Sequence, residues 1–200
     1  MKKETVFYCQ LDYEHVPYVS PTSPHGTIAN SGCGPCCAAM LVENLLEQPC
    51  TPEEMAVLGK ACGAREGYGT NLFIFSPVFA EKFGLKLTVT ENGDEALAFL
   101  QQGRGMVIAN INGFPREDGY IACFSDGGHY VLLIGAYTPE DPEEEATVKV
   151  LDPMYIPGRY DVPGRQGKVT MDGKVACTSM EVIRKDCLDR SYFLFEKIEE

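Results

Sequence analysis

The chain predicts an α+β fold, with helices gathered in its first half and an antiparallel sheet in its second. Apolar residues recur at helical spacing up to about residue 102. Beyond that point, short runs rich in β-branched and aromatic residues follow one another as strands. Within that second part, Asp172-Gly173 is a hairpin signal.

The elements follow in order. After an irregular, proline-bearing lead-in over 9–32, a first helix runs from Cys33 to about Gln48. Cys37, Leu41 and Leu45 recur on one face, with Ala38 and Leu46 widening the stripe. Thr51-Pro52-Glu53-Glu54 is a capping box with proline in the first turn, so a second helix covers 52–62. Gly69-Thr70-Asn71 introduces a third helix, whose inner face carries Leu72, Phe75, Val78, Phe79 and Phe83 and which ends at Gly84. Residues 85–90 alternate as a strand, and a fourth helix over 93–102 stops at Gly103. Strands are then expected at 106–110, 120–123, 129–137 and 147–151, with a hairpin over 169–177. Thr178 or Ser179 caps a short helix, and 192–195 is the last strand. No repeat or linker interrupts the chain, which reads as one domain over 1–200, helical over about 33–103 and sheet over about 104–200.

Two hundred residues suffice for a sizeable core. A net charge of −12 argues against nucleic acid or an anionic membrane surface as partner. Part of that acid sits in the run 139–145, which reads as a solvated loop tip. No apolar stretch approaches the ~18–20 residues of a membrane span. Two lysines near the start are followed by no hydrophobic signal region, so a cytoplasmic location is expected, or a secreted one if a signal peptide has been removed. Nine cysteines, an odd number and mostly single within apolar segments, fit a reducing compartment better than a disulfide framework.

The chemistry centres on Ser31-Gly32-Cys33-Gly34-Pro35. A thiol in a glycine-flanked turn at the mouth of a buried helix meets unpaired N–H groups and the positive end of the helix dipole, both of which favour thiolate. The glycines leave room for a substrate backbone. His129 follows Gly127-Gly128 and begins the apolar strand Tyr130-Val131-Leu132-Leu133, a rigid place for a general base. Asp152 ends Val148-Lys149-Val150-Leu151; if that strand pairs with the His129 strand, its carboxylate would orient the imidazole. Gln10, before Leu11-Asp12-Tyr13, would donate to a developing oxyanion. Taken singly, His129 is a structural histidine, Asp152 a turn former and Gln10 a surface residue. Together they make a thiol hydrolase the leading reading.

As a set, Gln10-x-Asp12-Tyr13, Gly32-Cys33-Gly34-Pro35, Gly128-His129-Tyr130-Val131 and Leu151-Asp152-Pro153 resemble the papain-like cysteine peptidases. Within them they are most similar to stand-alone relatives of the double-glycine (bacteriocin) leader peptidases. The resemblance covers roughly residues 6–155. It implies the papain-like fold and a peptide or amide substrate. It also implies Cys33 as nucleophile, His129 as base and acid, Asp152 as orienter and Gln10 in the oxyanion hole. No cofactor or metal is called for. Gly32, Gly69 and Gly128 are candidates for lining the substrate site, Gly69 within the loop Glu66-Gly67-Tyr68-Gly69-Thr70. Cys36 is the alternative nucleophile, but Cys33 lies at the glycine turn while Cys36 and Cys37 should already be inside the helix.

Rival readings explain less. Cys33-Gly34-Pro35-Cys36 matches the thioredoxin redox tetrad, but Pro77, the candidate for that family's cis-proline, falls inside the third helix. Zinc binding lacks a second ligand pair. A papain-like domain that binds without cutting is the third possibility. Substrate identity, hydrolase against transferase outcome and oligomeric state are not written in the sequence.

Overall fold

Caps and left-handed glycines set the limits of most elements, and buried carboxylates hold the irregular segments between them. The structure is a computed structural model that describes residues 4–67, 69–138 and 145–198. It divides into two compact units, one of residues 1–87 with 197–200 and one of residues 88–196.

The first unit opens with a 3-10 turn at Gln10–Tyr13 and a short helix α1, Ile28–Ser31. Helix α2, Cys33–Leu41, is capped by Gly32 and runs on as a π-helical turn over Val42–Leu46. Every α2 residue from Gly34 to Leu41 is buried, as expected of a helix apolar on all sides. The π turn accompanies a side-chain interruption: Asn44 Nδ2 donates to the Met40 carbonyl at 2.8 Å. Glu47, in a left-handed conformation with φ of 59°, stops the helix.

Helix α3, Pro52–Ala61, carries the expected capping box between Thr51 and Glu54. A small hairpin of β1, Arg65–Glu66, and β2, Gly69–Thr70, follows, without a strand signal in the sequence. Its Tyr68 lies outside the described residues. Helix α4, Leu72–Phe83, contains Pro77 and ends at Gly84 with φ of 63°. Leu72, Phe75 and Phe79 are buried, whereas Val78 and Phe83 are half-buried at the stripe's margin.

Strand β3, Leu85–Thr90, leads into the second unit. Here α5, Gly93–Gln101, packs on β4, Gly105–Asn112, and β5, Gly128–Tyr137, which is why it belongs with the sheet. Then come β6, Thr147–Leu151, β7, Thr170–Asp172, β8, Val175–Ser179, helix α6, Met180–Asp186, and β9, Tyr192–Lys197. The sheet order is β3-β9-β4-β5-β6-β8-β7. The registers of β4 with β5 and β9, and of β5 with β6, β6 with β8 and β7 with β8, are antiparallel. Gly173, with φ of 61°, makes the hairpin turn between β7 and β8. The sheet buries Val107, Ala109, Val131, Leu133, Val148 and Val150 in one core with α5 and α6.

Two expectations need correction, and one alternative is resolved. The first helix is not one uniform segment to Gln48, because of the π turn and its left-handed stop. Residues 120–123 form no strand. That segment is instead tied to the buried Asp186 of α6, which accepts from Cys123 N at 2.8 Å, Phe124 N at 3.0 Å and the Tyr120 hydroxyl at 2.8 Å. The cap of α6 is Ser179, which accepts from Val182 N, while the Thr178 hydroxyl is spent on the Lys168 carbonyl at 2.7 Å. The acidic run lies outside the described residues except Glu145, which faces Arg184 at 3.6 Å. Among the described residues no helix is long and apolar enough to cross a membrane.

Burial pushes the Asp186 carboxyl up, against the Phe124 and Cys123 N–H groups, the Tyr120 hydroxyl and Lys168, which pull it down. Replacing it leaves two buried N–H groups without an acceptor. Asp186→Ala is therefore expected to lower unfolding free energy by about 2–4 kcal/mol, read by urea denaturation at constant m; a change below about 0.5 kcal/mol would refute its anchoring role.

Candidate active site

His129 is the second residue of β5 and sits opposite Ile111 on β4, so its backbone is held by the sheet interior. Asp152 follows the last residue of β6, and pairing of Leu132 with Leu151 brings this strand end back beside the start of β5. The expected juxtaposition of strand ends is thus present. His129 Nε2 lies 2.8 Å from Asp152 Oδ1, with the residues 3% and 1% exposed. A carboxylate only accepts, so the proton of a neutral imidazole resides on Nε2, and Nδ1 is the nitrogen left with a lone pair for acid–base work.

The carboxylate has further donors. Met154 N donates to Oδ1 at 2.8 Å; Arg159 Nε and the Tyr160 hydroxyl donate to Oδ2 at 2.9 and 2.7 Å. Arg159 Nη2 also reaches the Phe124 carbonyl at 2.7 Å. The Tyr160 ring meets Phe124 edge-on at 5.6 Å and stacks on Tyr155 at 5.9 Å. Burial pushes the Asp152 carboxyl up, but His129, Arg159 and the Met154 N–H together hold it below the usual range. Arg159 and Tyr160 were not singled out in the sequence. Their only signal is a charged and an aromatic residue close after Asp152-Pro153 in a turn-rich stretch.

In the first unit, Cys33 is the first residue of α2 and half-buried. Cys36 is fully buried beside Tyr18, Ile28 and Ala56. Burial pushes the Cys36 thiol well up, and Cys33, Cys9 and Glu53 add to this, so Cys36 is a poor thiolate at neutral pH. Gln10 is buried, and its Nε2 donates to the Ala29 carbonyl at 2.8 Å. That carbonyl can only accept, which fixes the amide's orientation and leaves Nε2 one further N–H; Oε1 has no partner among the described residues.

The glycines differ. A Cβ on Gly32 would run into Ile28, and one on Gly34 would lie 2.9 Å from Thr70 Cβ, so protein atoms fill the space beside both. Gly69 faces open space, and Gly128 faces the Phe114 ring at 3.8 Å. No group of three or more His, Cys, Asp or Glu side chains is placed to hold a metal among the described residues.

A carboxyl whose folded pKa lies below the unfolded value of about 3.9 stabilises above that value and loses its contribution as pH falls through the folded one. The thermal midpoint of the wild type is expected to fall more steeply below about pH 4 than that of Asp152→Asn, in scans from pH 6 to 2. Parallel curves would show that Asp152 is not held anionic by these donors.

No family model matches the chain, and no curated protein matches it in sequence. Among solved structures it is similar to the peptidase domain of Streptococcus ComA, described as a bi-functional ABC transporter involved in a quorum-sensing pathway. The likeness has a TM-score of 0.52 at 13% identity, and covers 92% of this chain and 97% of that domain. The α+β fold of this protein resembles that of this peptidase domain, and the resemblance read from its motifs holds at the level of fold.

Proposed function

We propose that the protein is a papain-like cysteine peptidase in which Cys33, His129, Asp152 and Gln10 do the chemistry. The observation that carries this reading is the buried His129–Asp152 pair, with Nε2 committed to the carboxylate and the ring fixed by strand pairing. Support comes from the fold likeness to a peptidase domain and from Cys33 at the start of a buried helix.

In this mechanism the Cys33 thiolate attacks the carbonyl carbon of a peptide or amide, and the carbonyl π electrons move onto oxygen. A Gln10 N–H and the Cys33 backbone N–H donate to that oxyanion. His129 gives its Nδ1 proton to the leaving amine as the C–N bond breaks, which leaves a thioester on Cys33. Water then attacks the thioester carbonyl, His129 takes its proton, and the C–S bond breaks to release the acid and restore Cys33. Asp152 keeps the imidazole in its tautomer throughout, and no cofactor is needed. Gly69 and Gly128 would line the substrate with backbone groups, whereas Gly32, packed against Ile28 with its N–H and carbonyl both bonded, would set the turn that leads into Cys33. A peptide with small residues before the scissile bond is the substrate class that the motif resemblance implies.

The test is the pH dependence of iodoacetamide alkylation at Cys33, followed by peptide mapping. The rate is expected to plateau below the ordinary thiol value of about 8.5 and to shift upward in His129→Ala. A depressed midpoint indifferent to His129 would favour a redox role, and no depression would favour a binding domain. On a cleavable peptide, Cys33→Ala is expected to be inactive with an intact fold, Cys36→Ala to stay active, and Gln10→Ala to lose about 100- to 1000-fold in kcat. Label on Cys36 alone would transfer the nucleophile's role to it.

A further inference from the structure

Arg65, the first residue of β1, is 7% exposed, and an arginine keeps its charge when buried. Its Nε donates to the Tyr18 carbonyl at 2.8 Å. Its Nη1 donates to the carbonyls of Glu66 at 3.2 Å, Gly67 at 2.9 Å and Gly69 at 2.9 Å. Its Nη2 donates to the Ser31 hydroxyl at 3.2 Å, which in turn donates to Asn30 Oδ1 at 2.9 Å. The guanidinium lies over the Tyr18 ring at 4.8 Å. All these acceptors are neutral, and none of its partners among the described residues is a carboxylate. A buried cation left without an anion is costly, because hydrogen bonds to neutral oxygens replace only part of its hydration.

What the cation is tied to gives it a use. Ser31 is two residues before Cys33, and the hairpin that Arg65 holds ends in Thr70, packed against Gly34 on the other side of Cys33. Tyr18, the third anchor, shares a hydrogen bond of 2.8 Å with Thr70. The guanidinium therefore grips both flanks of the turn that presents the thiol.

We propose that Arg65 is a positioning residue for Cys33: a fixed, buried cation that favours the thiolate without itself giving or taking a proton. The proposal rests on the reading of Cys33 as nucleophile. Tyr18 and Cys36, which also act on Cys33, are uncharged at neutral pH. Burial, against the Thr70 hydrogen bond and Arg65, holds the Tyr18 hydroxyl up at about 12. Burial likewise holds Cys36 as a thiol, with Cys9 and Glu53 facing it from the lead-in segment and α3. Burial works against charge on Arg65, while Tyr18 and Cys33 favour it, as reciprocal stabilisation requires.

The consequence is a second source of thiolate, independent of His129. In full-length His129→Ala, Cys33 alkylation is expected to keep part of its depressed midpoint. Adding Arg65→Gln, which keeps a hydrogen-bond donor but no charge, should raise that midpoint by about one pH unit, a roughly tenfold slower reaction at pH 6. Adding Arg65→Lys, which keeps the charge, should leave most of the depression, with circular dichroism confirming folding of both. A Gln midpoint equal to that of His129→Ala alone would overturn the proposal and leave Cys33 as nucleophile. A wild type with no depression would overturn both. Should Arg65→Gln not fold, His129→Ala read at 0.05 and 0.5 M salt decides. A buried cation's effect persists in salt, whereas a depression that salt erases belongs to exposed charges and overturns the proposal.

Discussion

An ionised carboxylate taken out of water costs several kcal/mol unless other donors replace its hydration shell. Asp152, 1% exposed, receives four among the described residues: an imidazole, a guanidinium, a phenol and a backbone N–H. Those donors come from a strand start, from the turn after Asp152 and from the stretch that follows it. The ionised carboxylate can exist only when all are in place, so sheet register and loop conformation are selected together. His129 is one beneficiary of this arrangement, since its tautomer follows from the acceptor it faces.

The same constraint reaches farther through one residue. Phe124 gives its N–H to Asp186 and receives Arg159 on its carbonyl, while Arg159 also holds Asp152. Two buried acids on distant parts of the chain thus grip neighbouring atoms of a segment that has no regular structure of its own. Polar networks of this kind are stable only when complete, so the loops around His129 are held by the same bonds that keep Asp152 and Asp186 satisfied.

Wherever local chemistry decides structure, the sequence could be read. Thr51-Pro52-Glu53-Glu54 writes its own helix start, Gly84 and Gly173 their own turns, and the run from Tyr130 to Leu133 its own strand. The pairing of His129 with Asp152 was legible because short connections between strands favour antiparallel neighbours. The segment 120–123 misled because a short apolar run marks burial without saying what satisfies the backbone; Asp186, more than 60 residues away, does. Arg159 and Tyr160 were invisible for the same reason: nothing local distinguishes an arginine that meets a buried acid from one in water. Arg65 was likewise hidden, since its acceptors are backbone carbonyls whose directions depend on the tertiary fold.

The π turn at the end of α2 has a mechanical consequence. Asn44, besides capturing the Met40 carbonyl, closes a two-way clasp with Val6, accepting from its N–H at 2.9 Å and donating to its carbonyl at 2.8 Å. Tyr8 adds a bond to Glu43 at 2.8 Å. The strand-like lead toward Gln10 is thus hung from one end of the helix whose other end carries Cys33, and Gln10 is pinned again at Ala29. A helix of this length, about 20 Å at 1.5 Å per residue, acts as a strut between Cys33 and the clasp that Asn44 closes on Val6. Asn44 therefore ties the segment that leads to Gln10 to the helix that begins at Cys33, although it stands at the strut's far end.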